Sequence, residues 1–206
     1  MNGRVCEMDR VRTIGIVGAG AKGREFARLA LLGRYRVILE DMSESRLDQS
    51  KADISAALHA AVARGEIDVL RLGEIAANLC ASHSVDEVSR GADLLIDAAP
   101  EEAELQLEIF TIFDKFAKPD AILASTSDSI SIADLAEITN CAERCVGLRV
   151  QQRSGAIKAL AILRAAKTDE RTVQECVAFA RRLGLEPSVV TESTDVADME
   201  REPHPL

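Results

Sequence analysis

The stretch that decides the fold is Thr13-Ile14-Gly15-Ile16-Val17-Gly18-Ala19-Gly20-Ala21-Lys22-Gly23. Its first five residues form a short β-branched run, and Ala21 to Leu32 follows as a helix ended by Gly33. The glycines therefore fall between a strand and a helix. A second strand, Arg36 to Leu39, ends at Glu40 and Asp41, which puts an acid 23 residues after Gly18. A lone G-x-G-x-x-G says little, because glycines gather in turns for structural reasons. A strand before it, a helix after it and an acid ending the next strand make it the fingerprint of a dinucleotide-binding turn.

Each position has a physical task. Gly18 allows the tight turn, Gly20 lets the backbone approach a pyrophosphate, and Gly23 lets the helix pack close to the strand. Unpaired amides at the helix N-terminus then face the phosphate charge. Asp41 suits both hydroxyls of an adenosine ribose. Its charge, with that of Glu40, repels a 2′-phosphate, so NAD is expected rather than NADP. The expected cofactor-binding residues here are Gly18, Ala19, Gly20, Ala21, Lys22, Gly23 and Asp41, with Lys22 open to two readings, a phosphate contact or a solvated helix residue. The competing reading leaves the glycines as a plain turn and Asp41 as a cap for the next helix.

Working outward, Ser43, Glu44 and Leu47 open a long helix to about Arg64, and helical periodicity continues through Leu70, Leu72, Ile75 and Leu79. Residues 43 to 78 thus read as a helix-turn-helix excursion. Ala92 to Ala99 is a continuous apolar run stopped by Pro100, as for a buried parallel strand, and a helix follows from Glu101 to about Phe116. Ala121 to Ala124 is the next strand. The loop Ser125-Thr126-Ser127-Asp128-Ser129 leads to a short helix at Ile132 to Ile138, and Cys145 to Val150 forms another strand. After a polar loop from Gln151 to Ser154 come a strand at Ile157 to Leu163, a helix at Asp169 to Leu183 closed by Gly184, and a strand at Pro187 to Thr191. The alternation predicts a Rossmann-type α/β fold. Its sheet is doubly wound and mostly parallel, with an extra ribbon from the last two strands. Residues 1–192 read as one nucleotide-binding domain and 193–206 as a C-terminal tail.

Composition excludes several classes of partner. A net charge of −9 repels phosphate backbones and anionic membranes, and aromatics at 3% with no Trp offer few rings for base stacking. Neither nucleic acid nor a membrane is expected as a partner, and with no secretory signal legible at the start the expected location is cytoplasmic. Five cysteines lie at 6, 80, 141, 145 and 176, and three histidines at 59, 83 and 204. Cys141 and Cys145 lack the thioredoxin spacing and a second ligand pair, so no metal is expected, and the histidines read as surface residues.

Four blocks together resemble the NAD-binding domain of the L-3-hydroxyacyl-CoA dehydrogenases of fatty-acid metabolism. They are Ile14 to Gly20, Ile96-Asp97-Ala98-Ala99-Pro100-Glu101, Ala121 to Ile132, and Arg144-Cys145-Val146-Gly147-Leu148. The resemblance implies that Ala98, Ala99, Pro100, Glu101 and Thr126 complete the cofactor-binding set, with Glu101 near the nicotinamide end or serving as a dipole-compensating acid. It also accounts for the helical excursion after Asp41.

The resemblance fails where the family does its chemistry. The family block Ala-Ser-Asn-Thr-Ser-Ser has a Ser that touches the substrate hydroxyl where Asp128 stands, and an Asn where Thr126 stands. After Gly-Leu the family has a His that takes the hydroxyl proton, oriented by a Glu; this chain has Arg149 and, twelve residues on, Ala161. A guanidinium stays protonated near neutral pH and cannot be the base, so no catalytic residue is expected. Asp128 and Arg149 read either as solvated replacements or as a pair across the old substrate cleft, with Arg149 able to clamp an anion. In place of the motif that enters the family's helical domain stands Glu192-Ser193-Thr194-Asp195-Val196. The substrate half is expected to be missing, and a homo-oligomer or a partner subunit to cover the exposed surface. The expected function is that of an NAD-binding protein without the family's dehydrogenase activity; the alternative is an NAD-dependent oxidoreductase for a different hydroxy or oxo substrate.

Overall fold

The computed structural model describes residues 10–153 and 156–192. Its first βαβ unit is β1 (Thr13–Val17), α1 (Ala21–Leu32) and β2 (Arg36–Glu40), followed by α2 (Glu44–Ala63) and α3 (Leu72–Ala77). Then come β3 (Leu79–Ser82), α4 (Val85–Gly91), β4 (Leu94–Asp97), α5 (Ala103–Phe116), β5 (Ile122–Ser125), α6 (Ile132–Glu137), β6 (Cys145–Arg153), β7 (Ala156–Arg164), α7 (Glu170–Arg182) and β8 (Glu186–Thr191). The strands form one sheet in the order β3-β2-β1-β4-β5-β6-β7-β8. All neighbours are parallel except β6 and β7.

The central strands are apolar on both faces because helices cover both. Ile14, Ile16, Leu94, Ile96 and Ile122 join one core with Phe26, Leu31, Leu47 and Phe179, while Val17, Leu95 and Leu123 face a second with Phe110 and Phe113. The period of two along each strand thus divides the core into two layers. Fully burying each such side chain contributes about 1.5–3 kcal/mol. Helix starts are fixed by side-chain caps: Ser43 Oγ accepts from Arg46 N, and the Asp169 carboxylate accepts from Thr172 N.

Three expectations need correction. The helical periodicity read through Leu79 stops at Ala77, and Leu79 instead opens β3, which pairs with β2. That four-residue edge strand and the seven-residue α4 beyond it were not read, because both are short and Ser82, His83 and Ser84 between them look like a plain loop. The polar stretch 151–154 read as a loop, yet β6 runs on through Arg153. Gln151 and Gln152 are exposed at a bulge where the polar side chains meet water, so polarity there reports an exposed ladder end. The last two strands are not a separate ribbon: β7 pairs antiparallel with β6, and β8 extends the same sheet in parallel. The tail expected at 193–206, with His204, and Cys6 near the start lie outside the described residues.

Candidate functional site

The strand order reverses between β1 and β4, and a doubly wound sheet opens a crevice at the carboxyl ends of the strands at such a point. Gly18 and Ala98 stand there side by side, with Ala98 N donating to Val17 O at 2.8 Å and Gly18 N to Glu40 O at 2.9 Å. Gly18 has φ 98°, and a Cβ on it would lie 2.6 Å from Ala98 O. A Cβ on Gly23 would collide with Gly18 O. Both positions therefore require glycine. Gly20 differs, since a Cβ there would meet nothing within 4 Å. It faces a cleft of about 410 Å³ lined by Gly18, Ala21, Lys22, Asp41, Arg46 and Ala98 to Glu101 among others. No side chain caps α1 and no acid sits in its first turn, so its leading amides are left for an anionic ligand in that space. These features fit the pyrophosphate of a dinucleotide. A second cleft of about 410 Å³, with Arg10, Asp93, Lys118 and Arg144 in its wall, lies at the opposite ends of the strands.

At the end of the cleft beside β2, Asp41 is 6% exposed, and its carboxylate accepts from Ala19 N (3.1 Å), Ser43 N (2.9 Å) and Arg46 Nη1 (3.2 Å). It both braces the glycine turn and supports the start of α2. The Arg46 side chain is 55% exposed and is the partner free to move when ribose hydroxyls need the carboxylate. Sequence reading missed three supports. Ser50 Oγ donates to Ala19 O at 2.7 Å, His83 Nδ1 lies 3.0 Å from Asp41 O, and Arg46 covers Asp41. Ser50 had a signal: it shares the buried stripe of α2 with Leu47, Ile54 and Leu58, where a polar residue needs a partner. Glu40, beside Asp41, is buried, and among the described residues its Oε1 has no hydrogen-bond partner. Burial, reinforced by the charge of Asp41, pushes its carboxyl up to about 7.

The other end of the cleft is built from charged side chains. Lys22 Nζ leaves the turn and donates to Glu101 Oε1 (2.6 Å), Thr126 O (3.0 Å) and Asp128 Oδ2 (3.3 Å). Glu101 precedes α5 rather than starting it, and it also accepts from Ser127 Oγ (2.7 Å) and Ser129 Oγ (3.0 Å). Burial works to raise the Glu101 carboxyl, but the bonds from Lys22, Ser127 and Ser129 outweigh it and hold it at about 2. Lys22 is raised despite its partial burial, because Glu101 and Asp128 favour its charged form. Asp97, buried under this end with one oxygen bonded by Ala99 N, is pushed by burial to about 6.

Of the readings open for Asp128 and Arg149, the structure shows the pair, with Arg149 Nε on Asp128 Oδ1 at 2.6 Å. Arg149 Nη1 is held by Ser125 O (2.9 Å) and Leu148 O (3.2 Å). Across the antiparallel ladder Arg149 stands directly opposite Ala161. The twelve-residue spacing in the sequence is thus the register of two facing strands. Thr126 is buried, and its carbonyl rather than its hydroxyl meets Lys22.

A glycine turn at the switch point of a mostly parallel sheet, with an acid at the end of the second strand, defines a Rossmann-type dinucleotide-binding domain. Comparison with known proteins narrows the class. The family described as 3-hydroxyacyl-CoA dehydrogenase, NAD binding domain, matches residues 13–193, and the chain belongs to that family. Its cofactor is NAD. Over 179 residues it is 29% identical to the 3-hydroxybutyryl-CoA dehydrogenase of Bradyrhizobium diazoefficiens, covering 87% of this chain and 61% of that protein. It is 26% identical over 182 residues to the human mitochondrial hydroxyacyl-coenzyme A dehydrogenase, covering 86% of this chain and 58% of that one. The crystal structure of the (S)-3-hydroxybutyryl-CoA dehydrogenase PaaH1 from Ralstonia eutropha superposes with a TM-score of 0.82 at 27% identity, covering 89% of this chain and 64% of that one. The chain spans about three fifths of the length of these relatives. Among the described residues no helix is long and apolar enough to cross a membrane.

Proposed function

We propose that this chain binds NAD across the β1–β4 crevice and does not carry out the acid–base step of 3-hydroxyacyl-CoA dehydrogenation. The observation that carries this reading is the Arg149–Asp128 ion pair at 2.6 Å, facing Ala161. By resemblance these are the places of a proton-accepting His, a substrate-touching Ser and an orienting Glu. Bound NAD would supply hydride chemistry, but oxidising a secondary alcohol also needs a group to take the hydroxyl proton. A positioned base contributes about 10²–10⁴-fold to such a step. A guanidinium cannot be that base. Nor can Glu101, held ionised at about 2 by its partners, and Lys22 is raised further from neutrality. Asp97 titrates near 6 but is 1% exposed and faces Ala99 N.

In this reading Gly18, Gly20 and Ala21 face the pyrophosphate, with the buried Ala19 and Gly23 shaping the turn behind them, Asp41 faces the ribose, and Ala98, Ala99 and Pro100 form the opposite wall. Lys22, Glu101 and Thr126 border the nicotinamide end. Calorimetric titration with NADH and NADPH, beside an acetoacetyl-CoA reduction assay, tests the proposal. Micromolar NADH binding with turnover below about 1 s⁻¹, the low end of ordinary enzymes, is the expected result. A homo-oligomer or a partner subunit is part of the same proposal, supported by the exposed Val189 and Val190 on edge strand β8. Light scattering that reports a monomer near 22 kDa would contradict that part.

A further inference from the structure

Arg149 and Lys22 reach one carboxylate from two sides. Arg149 Nε holds Asp128 Oδ1 at 2.6 Å, and Lys22 Nζ holds Oδ2 at 3.3 Å. Both cations are aimed by groups other than Asp128: Arg149 by Ser125 O and Leu148 O, Lys22 by Thr126 O and Glu101. If the Asp128 carboxylate left, each would keep its place. Asp128 is also the exposed member, with 69% of its side chain accessible against 18% for Arg149. It sits in the bend between β5 and α6. Ion pairs to so exposed a carboxylate add little to stability, so another anion can replace it at small cost. The site is therefore already shaped around a carboxylate, one oxygen to each cation, and a planar guanidinium suits that shape.

We propose that Lys22 and Arg149 form a clamp for the carboxylate of a small ligand, which takes the position the Asp128 side chain holds. The ligand class is a free oxo or hydroxy acid, in contrast to a CoA thioester, whose acyl carbon carries no charge. Asp128 acts as a displaceable internal occupant. Glu101, fixed by Lys22, Ser127 and Ser129, is the remaining negative charge that a ligand meets, as Asp128 meets it now. The inference rests on the proposed reading in one respect: Lys22 and Glu101 line the cleft assigned to NAD, so the clamp would lie beside its nicotinamide end.

The test is calorimetric titration of the full chain with acetoacetate, its uncharged ethyl ester and inorganic phosphate, each with and without NADH. Wild type is compared with Asp128→Ala, Asp128→Ala/Arg149→Met and Asp128→Ala/Arg149→Lys. Asp128→Ala is expected to bind acetoacetate at least tenfold more tightly than wild type. Methionine at 149 is expected to abolish that gain and lysine to keep part of it, with no heat from the ester and weaker binding of phosphate. Unchanged or weaker acetoacetate binding in Asp128→Ala, or indifference to Arg149→Met, would overturn the clamp. Phosphate or ester binding as tight as acetoacetate would overturn the ligand class. Absence of NADH binding would strike the nucleotide reading alone, since the titrations without NADH still decide the clamp.

Discussion

The two ends of the cleft are made of different materials. At the end proposed for the adenosine the shape comes from backbone: Gly18 at φ 98°, uncapped α1 amides, and one buried carboxylate braced by Ala19 N and Ser43 N. At the end proposed for the nicotinamide it comes from Lys22, Glu101, Asp128 and Arg149, which neutralise one another. Backbone geometry is tied to the fold, because a Cβ on Gly23 would collide with the turn itself. Side-chain chemistry is not. Arg149 and Ala161 occupy a regular ladder whose pairing depends on neither side chain. The glycine turn is therefore bound to the fold itself, whereas the charged side chains of the other end can be exchanged with the sheet intact.

The comparison breaks most visibly at Gly23. Gly23→Val is expected to destabilise the fold by several kcal/mol, as overpacking against backbone does, and to remove NADH binding beyond a hundredfold. Thermal unfolding and calorimetry check both, and a variant that folds and binds normally would show that the turn is not what holds the cofactor.

Glu40 gives the next largest effect, and its sign is fixed. Its carboxyl sits at about 7 in the folded chain against an ordinary 4.5, so between those values the folded state holds a proton that the unfolded state has lost. Stability therefore falls as pH rises from 4.5 through about 7, then levels off. Glu40→Gln should remove this slope, matching wild type below pH 4.5 and exceeding it at pH 8 by as much as about 3 kcal/mol. Asp97 contributes a similar fall from 3.8 to about 6, which the variant leaves in place. Urea midpoints at pH 4, 6 and 8 measure both, and a wild type that gains stability from pH 5 to 7 would contradict the assignment.

The smallest of these effects sharpens the adenosine end. Asp41→Ala should weaken NADH roughly tenfold, about 1.4 kcal/mol, and narrow the gap to NADPH. Equal loss for both nucleotides would mean that Asp41 only braces the turn through Ala19 N.

What the sequence showed follows the same division. Glycine spacing and the β-branched run gave β1 and α1 to the residue, because backbone constraints leave few residue choices. The acid that ends the second strand was legible as a position, since Asp41 directly follows β2 and lines the cleft. The short β3 and α4 were not, since four and seven residues carry too little periodicity to read. Nor was the fate of Lys22 legible: its partners Glu101 and Asp128 lie 79 and 106 residues away in the chain and meet it only once the sheet is assembled. The facing of Arg149 and Ala161 became visible only with the register of β6 on β7, where an expected loop at 151–154 had hidden three residues of the strand.

The most direct test of the account puts one preparation through two assays, NADH binding and acetoacetyl-CoA reduction. On the proposed reading, micromolar NADH affinity is expected together with turnover below about 1 s⁻¹, because by resemblance the place of the proton-accepting His is taken by Arg149, whose guanidinium stays protonated near neutral pH. Turnover above that rate, with NADH bound equally well, would contradict it and show that the charged end of the cleft is a working catalytic site.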